Sequence, residues 1–315
     1  MRVASPCSAV VQVALWCLLS AAAGATTADP LKVVYPAPES SEDKRDADVA
    51  ELLQLVLDKT VASHGPYRLQ PSAPLNEKRY RELLRHDAGI SLAWLSVTAE
   101  NERDFLAVRI PLRKGLLGYR VLIVRQQDLP KFARIQSVEQ LKNLRMGQGI
   151  GWNDIPLLRA NGFNVVVSQS YDNLFSQLAN GRVDYLSRGI NEAWREVESF
   201  RVQYPNLAVE PTLMLYYPWP KYFYLNRKNA ALAQRLELGL RLAQQDGSFD
   251  RLFRRYHQPD ILRAELGKRQ VFCIDNPLFP PQRAPEAQRW WFVPAENFPC
   301  PLPAAPAPAL PDKKQ

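Results

Sequence analysis

The sequence predicts an α/β protein built as two lobes. Three observations predict it. Short apolar strands alternate with amphipathic helices, the alternation occurs twice, and long extended stretches separate the two sets. A chain of 315 residues suits two globular units at roughly 150 residues each. Its composition is 46% hydrophobic and 23% charged, which argues against wholesale disorder and against a fibrous repeat.

The N-terminus reads as an address. Arg2 precedes the apolar run Ala9–Leu19 (AVVQVALWCLL), and Ala23-Gly24-Ala25 fits a small-x-small cleavage site. The run is shorter than the roughly 20 residues that span a bilayer, so a cleaved signal peptide over residues 1–25 is expected rather than an anchor, with Ala28 as the alternative cut. Trp16 directly before Cys17 speaks against a lipoprotein. Export implies a periplasmic location. Cleavage removes Arg2, Cys7 and Cys17 and leaves Cys273 and Cys300, which in an oxidising compartment read as a disulfide, two free buried thiols being the alternative.

The mature chain then begins its first alternation. Leu31–Tyr35 is a strand stopped by Pro36 and Pro38, and Asp48–Val61 is a helix with Val49, Leu52, Leu53, Val56 and Leu57 on one face. Tyr67–Gln70 is a strand. A helix capped by Asn76 carries Tyr80, Leu83 and Leu84, and Ile90–Val97 is a third strand. Phe105–Arg125 is extended and interrupted. Ser137-Val138-Glu139-Gln140 is a capping box. The second alternation follows: strand 145–150, helix 154–160, strand 165–168, helix 171–180 ended by Gly181, strand 183–186 and helix 191–200. Leu207–Leu225 is extended and aromatic, 230–245 is a helix with Leu232, Leu236 and Leu240, and Phe249–Tyr256 is amphipathic. Trp290-Trp291 is expected to pin the C-terminal segment to the body. Residues 301–315 (PLPAAPAPALPDKKQ) cannot bury a core and read as a disordered tail.

The formal charge of +8 is spread along the chain, with its densest cluster at Arg251–His257. No nucleic-acid module interleaves it, so nucleic acid is not an expected partner and a bias toward anionic ligands or surfaces is.

Several segments together resemble the type II periplasmic solute-binding proteins of family 3, which often carry polar amino acids to transporters. Val97–Arg103 (VTAENER) followed by FLAVRIPL is similar to the family's T-x-x-R segment before its first crossing strand. Ser137–Gly149 (SVEQLKNLRMGQG) looks like the opening of the second lobe, Tyr171–Asp184 (YDNLFSQLANGRVD) like the helix ending in G-R-x-D, and Ala231–Phe253 like the closing helix pair. The resemblance covers about residues 30–257. It implies the two-lobed type II periplasmic binding protein fold, with parallel or mixed sheets flanked by helices and joined by two crossing strands. Lobe 1 would comprise residues 26–124, lobe 2 residues 125–218, and residues 219–300 the return to lobe 1 with a C-terminal extension. It further implies a monomer without cofactor that closes by hinge motion on a small polar solute, amino-acid-like or anionic, and meets a membrane permease or a receptor.

The resemblance also places candidate ligand residues. Arg103 after Thr98 stands where an arginine fork would take a ligand carboxylate, although two residues later than in T-x-x-R; a solvated surface arginine is the alternative, and Arg109 a substitute. Ser96 and Trp94 lie on the same strand, and Tyr35 at the end of the first; Trp94, which alternates with its strand neighbours, reads as core before it reads as a ligand wall. The turn at Gly147–Asp154 offers Trp152, Asn153 and Asp154 where the family offers Ser or Thr, and Asp154 is expected to cap the next helix and to repel an anion. The acid that family members use for an α-ammonium group falls at Gly189. Arg188 flanks it, favouring an anionic or polar group or else a surface ion pair, and Glu192 lies close by. His64, His86 and His257 belong to no nucleophile motif, G-x-S-x-G and H-E-x-x-H do not occur, and four cysteines with three histidines leave little for a metal site, so a binding protein rather than an enzyme is expected. A sensory or partner-binding module on the same fold is the alternative, and a periplasmic enzyme on this fold, using a carboxylate pair that spacing does not reveal, a further one.

Overall fold

The structure is a computed structural model that describes residues 29–38, 46–75, 77–279, 287–294 and 297–303. The expected signal peptide, the Asn76 cap and all but the start of the expected tail lie outside the described residues.

Among the described residues, twelve strands form two lobes. They are β1 (Leu31–Ala37), β2 (Tyr67–Pro74), β3 (Leu92–Ser96), β4 (Leu106–Val108), β5 (Tyr119–Arg125), β6 (Arg145–Gly149), β7 (Asn164–Ser168), β8 (Tyr185–Gly189), β9 (Leu207–Val209), β10 (Leu213–Tyr216), β11 (Lys221–Leu225) and β12 (Gln270–Cys273). In lobe 1, β1 and β2 run parallel and β11 lies antiparallel between β3 and β4. The two groups abut through Ser91, whose N–H donates to the Val34 carbonyl at 2.9 Å and whose Oγ accepts from Val34 N–H at 3.0 Å. In lobe 2 the order is β12-β10-β5-β8-β6-β7, with β9 also on β5. Strands β7, β6 and β8 are mutually parallel, while β5 is antiparallel to β8 and β10.

Helices cover both faces of each sheet. The helix Ala47–Asp58 buries Val49, Leu52, Leu53, Val56 and Leu57, the stripe its periodicity predicts, against the helix Ala230–Gln245 and the sheet. Those two helices meet closely at Gly239, where a Cβ would lie 2.2 Å from the Val56 carbonyl oxygen. The capping box at Ser137 forms as expected, with Gln140 closing it. The helix Glu77–Arg85 covers the other face of lobe 1 through Leu84. In lobe 2, Tyr171–Ala179 packs on one face, and Val138–Lys142 with Ile155–Ala160 on the other.

The chain passes between lobes twice in the body of the fold. It leaves lobe 1 along Ile110–Gly118, ahead of β5, and returns along Tyr217–Pro220, ahead of β11. The passages lie side by side: Tyr217 N–H donates to Gly118 O at 3.3 Å and Leu112 N–H to Lys221 O at 3.1 Å. Tyr217 and Trp219 are buried in this passage, and Tyr216 and Tyr222 are buried in the strands on either side of it.

Two features exceed the sequence expectation. The amphipathic segment at 249–256 is part of a longer helix, Ser248–Ala264, which runs through Pro259. After it, β12 adds a parallel strand to β10. Cys273 and Cys300 form the expected disulfide, with Cα atoms 5.5 Å apart. Trp290 and Trp291 are buried in the lobe 1 core.

The helix contact supplies a test. Gly239→Ala should lower stability by about 1–3 kcal/mol, the usual cost of overpacking, because the new methyl meets backbone rather than a movable side chain. Urea unfolding monitored by circular dichroism measures it. A change within a few tenths of a kcal/mol would mean that the two helices part without cost.

Candidate functional site

The wall that lobe 2 turns toward lobe 1 is built from the C-terminal ends of β6 and β8 and the loops that follow them. Gly149 ends β6 and lets the Trp152 ring fold back over it, since a Cβ there would sit 2.7 Å from the ring. Gly151 turns the loop with a φ of 79°, a conformation that glycine adopts freely. The guanidinium of Arg188, at the end of β8, lies 4.2 Å from the Trp152 ring centroid. Its Nε and Nη2 donate to the two Glu196 oxygens at 2.8 and 2.6 Å. Tyr171 Oη donates to the same carboxylate at 2.9 Å. This is a two-pronged, charge-assisted pair. Arg188 therefore stands in the wall as half of a buried ion pair stacked on Trp152.

Asp154 opens the helix Ile155–Ala160 without capping it. Its carboxylate turns inward instead. Oδ2 accepts from Arg120 Nη2 at 2.5 Å and from Tyr217 Oη at 2.8 Å, and Arg120 Nε donates to Tyr217 Oη at 2.8 Å. This corrects the expectation that Asp154 caps the helix and repels an anion: Arg120 neutralises its charge.

Glu192 lies between the two arginines. It is 3.2 Å from Arg188 Nη2 and 3.7 Å from Arg120 Nη1, and it accepts from Gly189 N–H at 3.0 Å. A carboxylate thus stands beside position 189, supplied from three residues further on. Burial pushes its pKa up, but Arg188 and Arg120 outweigh this and hold it at about 2.

Lobe 1 contributes a second set. Asp46 and Asp48 flank the start of the first helix, and both take the Arg113 guanidinium, at 2.8 Å and at 2.5 and 2.6 Å. Lys221, opening β11, lies 3.7 Å from Asp46 and also lowers the pKa of Glu192 across the cleft. Burial raises the Asp46 pKa, but Lys221 and Arg113 overcome it and bring the value to about 2. Trp94 is 5% exposed, belongs to the lobe 1 core and hydrogen-bonds Asp46; Tyr35 packs on it with ring centroids 5.9 Å apart. The lobes touch directly where Asn153 Nδ2 donates to Glu77 Oε1 at 3.3 Å.

The remaining candidates lie on the helix Ala99–Asp104. Thr98 caps it, its Oγ1 accepting from Asn101 N–H at 3.1 Å. The position three after the capping threonine, where T-x-x-R has arginine, is therefore Asn101. Asn101 is buried, its Nδ2 donates to Ser96 O at 2.8 Å, and its Oδ1 has no partner. The Arg103 side chain is 72% exposed and pairs with Asp104. Arg109 pairs with Glu102, which also accepts from Tyr224 Oη. Trp152, Asn153, Asp154 and Arg188 are thus brought together in one wall. Tyr35, Trp94 and Ser96 form part of lobe 1, and Arg103 stands apart. Sequence reasoning missed Arg120, Glu196, Tyr217 and Lys221. Arg120 carried a signal: it shares a strand face with Leu122 and Val124, both buried, so a charge there required a buried partner.

Among the described residues, no helix is long and apolar enough to cross a membrane, and no group of three or more His, Cys, Asp or Glu side chains could hold a metal ion. No family model and no curated protein matches the chain. Solved structures do match. An ancestral arginine-binding protein bound to arginine is 17% identical, with a TM-score of 0.51, covering 73% of this chain and 99% of its own. A protein from work on glutathione import by Streptococcus mutans, through GshT and the cystine ABC importer TcyBC, is 15% identical with a TM-score of 0.53, covering 72% and 95%. The amino-acid ABC transporter substrate-binding protein AbpA of Streptococcus pneumoniae, bound to L-arginine, is 18% identical with a TM-score of 0.50, covering 73% and 95%. The chain has the two-lobed α/β fold of these binding proteins.

The buried pairs give two expectations. Glu196→Ala should destabilise by about 3–5 kcal/mol, because it strands the buried Arg188 charge, and chemical denaturation reads this; a loss below about 1 kcal/mol would place the pair in the class of solvated surface bridges. The second concerns pH. Glu192 has a folded pKa below its ordinary 4.5, so its contribution is present above pH 4.5 and is lost as pH falls toward 2. The stability gap between wild type and Glu192→Gln should therefore shrink between pH 6 and about pH 3. A gap constant over that range would show that the arginines do not hold Glu192 in solution.

Proposed function

We propose that the chain is an exported solute-binding protein that takes a small polar ligand, uncharged overall, between its lobes. The observation that carries this reading is the pairing of the charged groups facing the cleft. Arg188 is held by Glu196, Arg120 by Asp154, Lys221 lies between Asp46 and Glu192, and Glu192 has cations on both sides. A ligand carboxylate meets guanidinium groups already committed to acids, and a ligand ammonium meets carboxylates already committed to arginines. A hydrogen-bonding ligand without net charge leaves these pairs intact. Trp152, Asn153 and Glu192 are the proposed contacts from lobe 2, with Lys221, Thr98, Ser96 and Tyr35 on the facing lobe. The reading of residues 1–25 as a signal peptide and the likeness to transporter-linked binding proteins support export and delivery to a membrane permease.

A sensory role on the same fold is the second reading. The chain's additional passages between lobes favour it, since they have no counterpart in the expectation of two crossing strands. Co-purification of a membrane permease would favour transport, and of a membrane receptor, sensing.

The test is a thermal-shift panel on oxidised protein beginning at Thr26, with neutral sugars and amides, zwitterionic amino acids and peptides, organic acids and polyamines as separate groups. A ligand at 100 times its Kd should add about 2.7 kcal/mol to native stability. Saturable shifts confined to neutral sugars and amides and removed by Trp152→Ala are expected. Shifts confined to zwitterions or organic acids would overturn the neutral-ligand reading, and silence across the panel would overturn solute binding.

A further inference from the structure

Beyond the two passages of the body, the described residues of the C-terminal third cross between the lobes three more times. The helix Ser248–Ala264 begins in lobe 1, with Phe249 and Leu252 in that core. It ends in lobe 2, with Phe253, Ile261 and Ala264 packed there. β12 then joins the lobe 2 sheet. The chain next returns to lobe 1, where Phe279, Trp290 and Trp291 pack, and crosses back at once, since Phe292, Phe298 and Cys300 pack in lobe 2. The Cys273–Cys300 disulfide, 27 residues apart, therefore closes covalently around a loop that reaches out to lobe 1 and comes back.

That loop grips the crossing itself. Phe292 N–H donates to Lys114 O at 2.8 Å, Lys114 Nζ donates to Arg289 O at 3.3 Å, and Tyr119 Oη donates to Phe292 O. Asn276 Nδ2 donates to Pro218 O at 2.9 Å on the return passage. Gly115, with a φ of 71°, admits the Trp291 ring so closely that a Cβ would lie 2.2 Å from it. Hinge closure needs a few residues that absorb large backbone rotations. Here the residues that would do so are sandwiched between their own antiparallel partner and the C-terminal loop.

We propose that this segment is a clasp that holds the two lobes in one fixed relation, so that the cleft accepts its ligand without hinge closure. The clause about ligand rests on the solute-binding reading above; the clasp does not.

The test needs no ligand. Nitroxide labels carried on ketone-bearing unnatural side chains at the exposed positions Ala62 and Arg182, one in each lobe, report the interlobe distance by electron–electron double resonance without using thiols. The oxidised wild type should give a single narrow distribution. Cys273→Ser with Cys300→Ser and Trp291→Ala should broaden it by about twofold, as a freed hinge samples open states. Should that variant fail to fold, Gly115→Val, which drives a side chain into Trp291, and the wild type treated with dithiothreitol, which becomes its own cyclic disulfide as the two thiols form, give the same reading. A wild-type distribution already as broad as a hinged one, or a folded, released protein as narrow as the wild type, would overturn the proposal. A silent thermal-shift panel beside a narrow wild-type distribution would remove the solute reading and leave the clasp standing.

Discussion

Five separate parts of the chain meet around Arg113 and the two aspartates it holds. It lies in the passage leaving lobe 1 and takes Asp48 with two nitrogens and Asp46 with one. His257 reaches Asp48 from the helix Ser248–Ala264 at 3.0 Å, Lys221 approaches Asp46 from the return strand, and Trp94 reaches it from β3. A buried pair of this kind adds little net stability over well-packed apolar residues, because both charges lose their hydration. Its directionality is another matter. A planar fork satisfies two carboxylates only from one approach, so the first helix, both passages and the long helix are brought to one geometry. Asp46 illustrates the constraint locally: it occupies the N-cap position of the first helix yet does not cap it, its side chain being turned to Arg113.

Seven residues further along the same segment, Arg120 repeats the device in the other lobe. One passage thus carries a buried arginine into each lobe, Arg113 to two aspartates and Arg120 to Asp154 and Tyr217. Between them lie Gly115 and Gly118, which admit Trp291 and the Tyr217 carbonyl at distances that no side chain would permit. The charges anchor the ends of the crossing and the glycines allow its middle to be covered. The same arrangement explains the site: Asp154 is turned inward and Glu192 stands between two guanidinium groups, so their charge is spoken for by arginines that also support the crossing.

Most of the fold was legible wherever a periodic apolar face had to be buried. The helices at 47–58, 171–179 and 230–245 and the strands at 31–37, 145–149 and 164–168 follow directly from their patterns. β12 was not legible, because four residues (QVFC) among charged neighbours carry no pattern of their own and gain it from β10. Pro259 concealed the length of the long helix in the same way, since tertiary burial on both sides of it outweighs the local cost. Of the candidate residues, Trp152, Asn153, Asp154 and Arg188 lie together in one wall, as the family resemblance implies for the turn after β6 and the end of β8. Arg103 was aligned by residue type, whereas the register of its helix is set by the Thr98 cap, which puts Asn101 at the third position. The partners Glu196 and Tyr217 were invisible because pairing across 8 and 63 residues is a property of the packed lobe, not of spacing.

A cleft whose charges are mutually satisfied selects differently from one with a free arginine. A free fork attracts any carboxylate and relies on the rest of the site to discriminate. A paired fork must lose a partner before it can serve a ligand, and a buried carboxylate left behind costs several kcal/mol. In the proposed solute-binding role, charged solutes would be disfavoured by the protein's own ion pairs, while uncharged hydrogen-bonding groups would enter at no such cost. Lobes held in one relation extend the same logic to shape: the site is ordered before the ligand arrives, so less free energy is lost on binding, and a ligand that does not match the fixed gap gains nothing from closure.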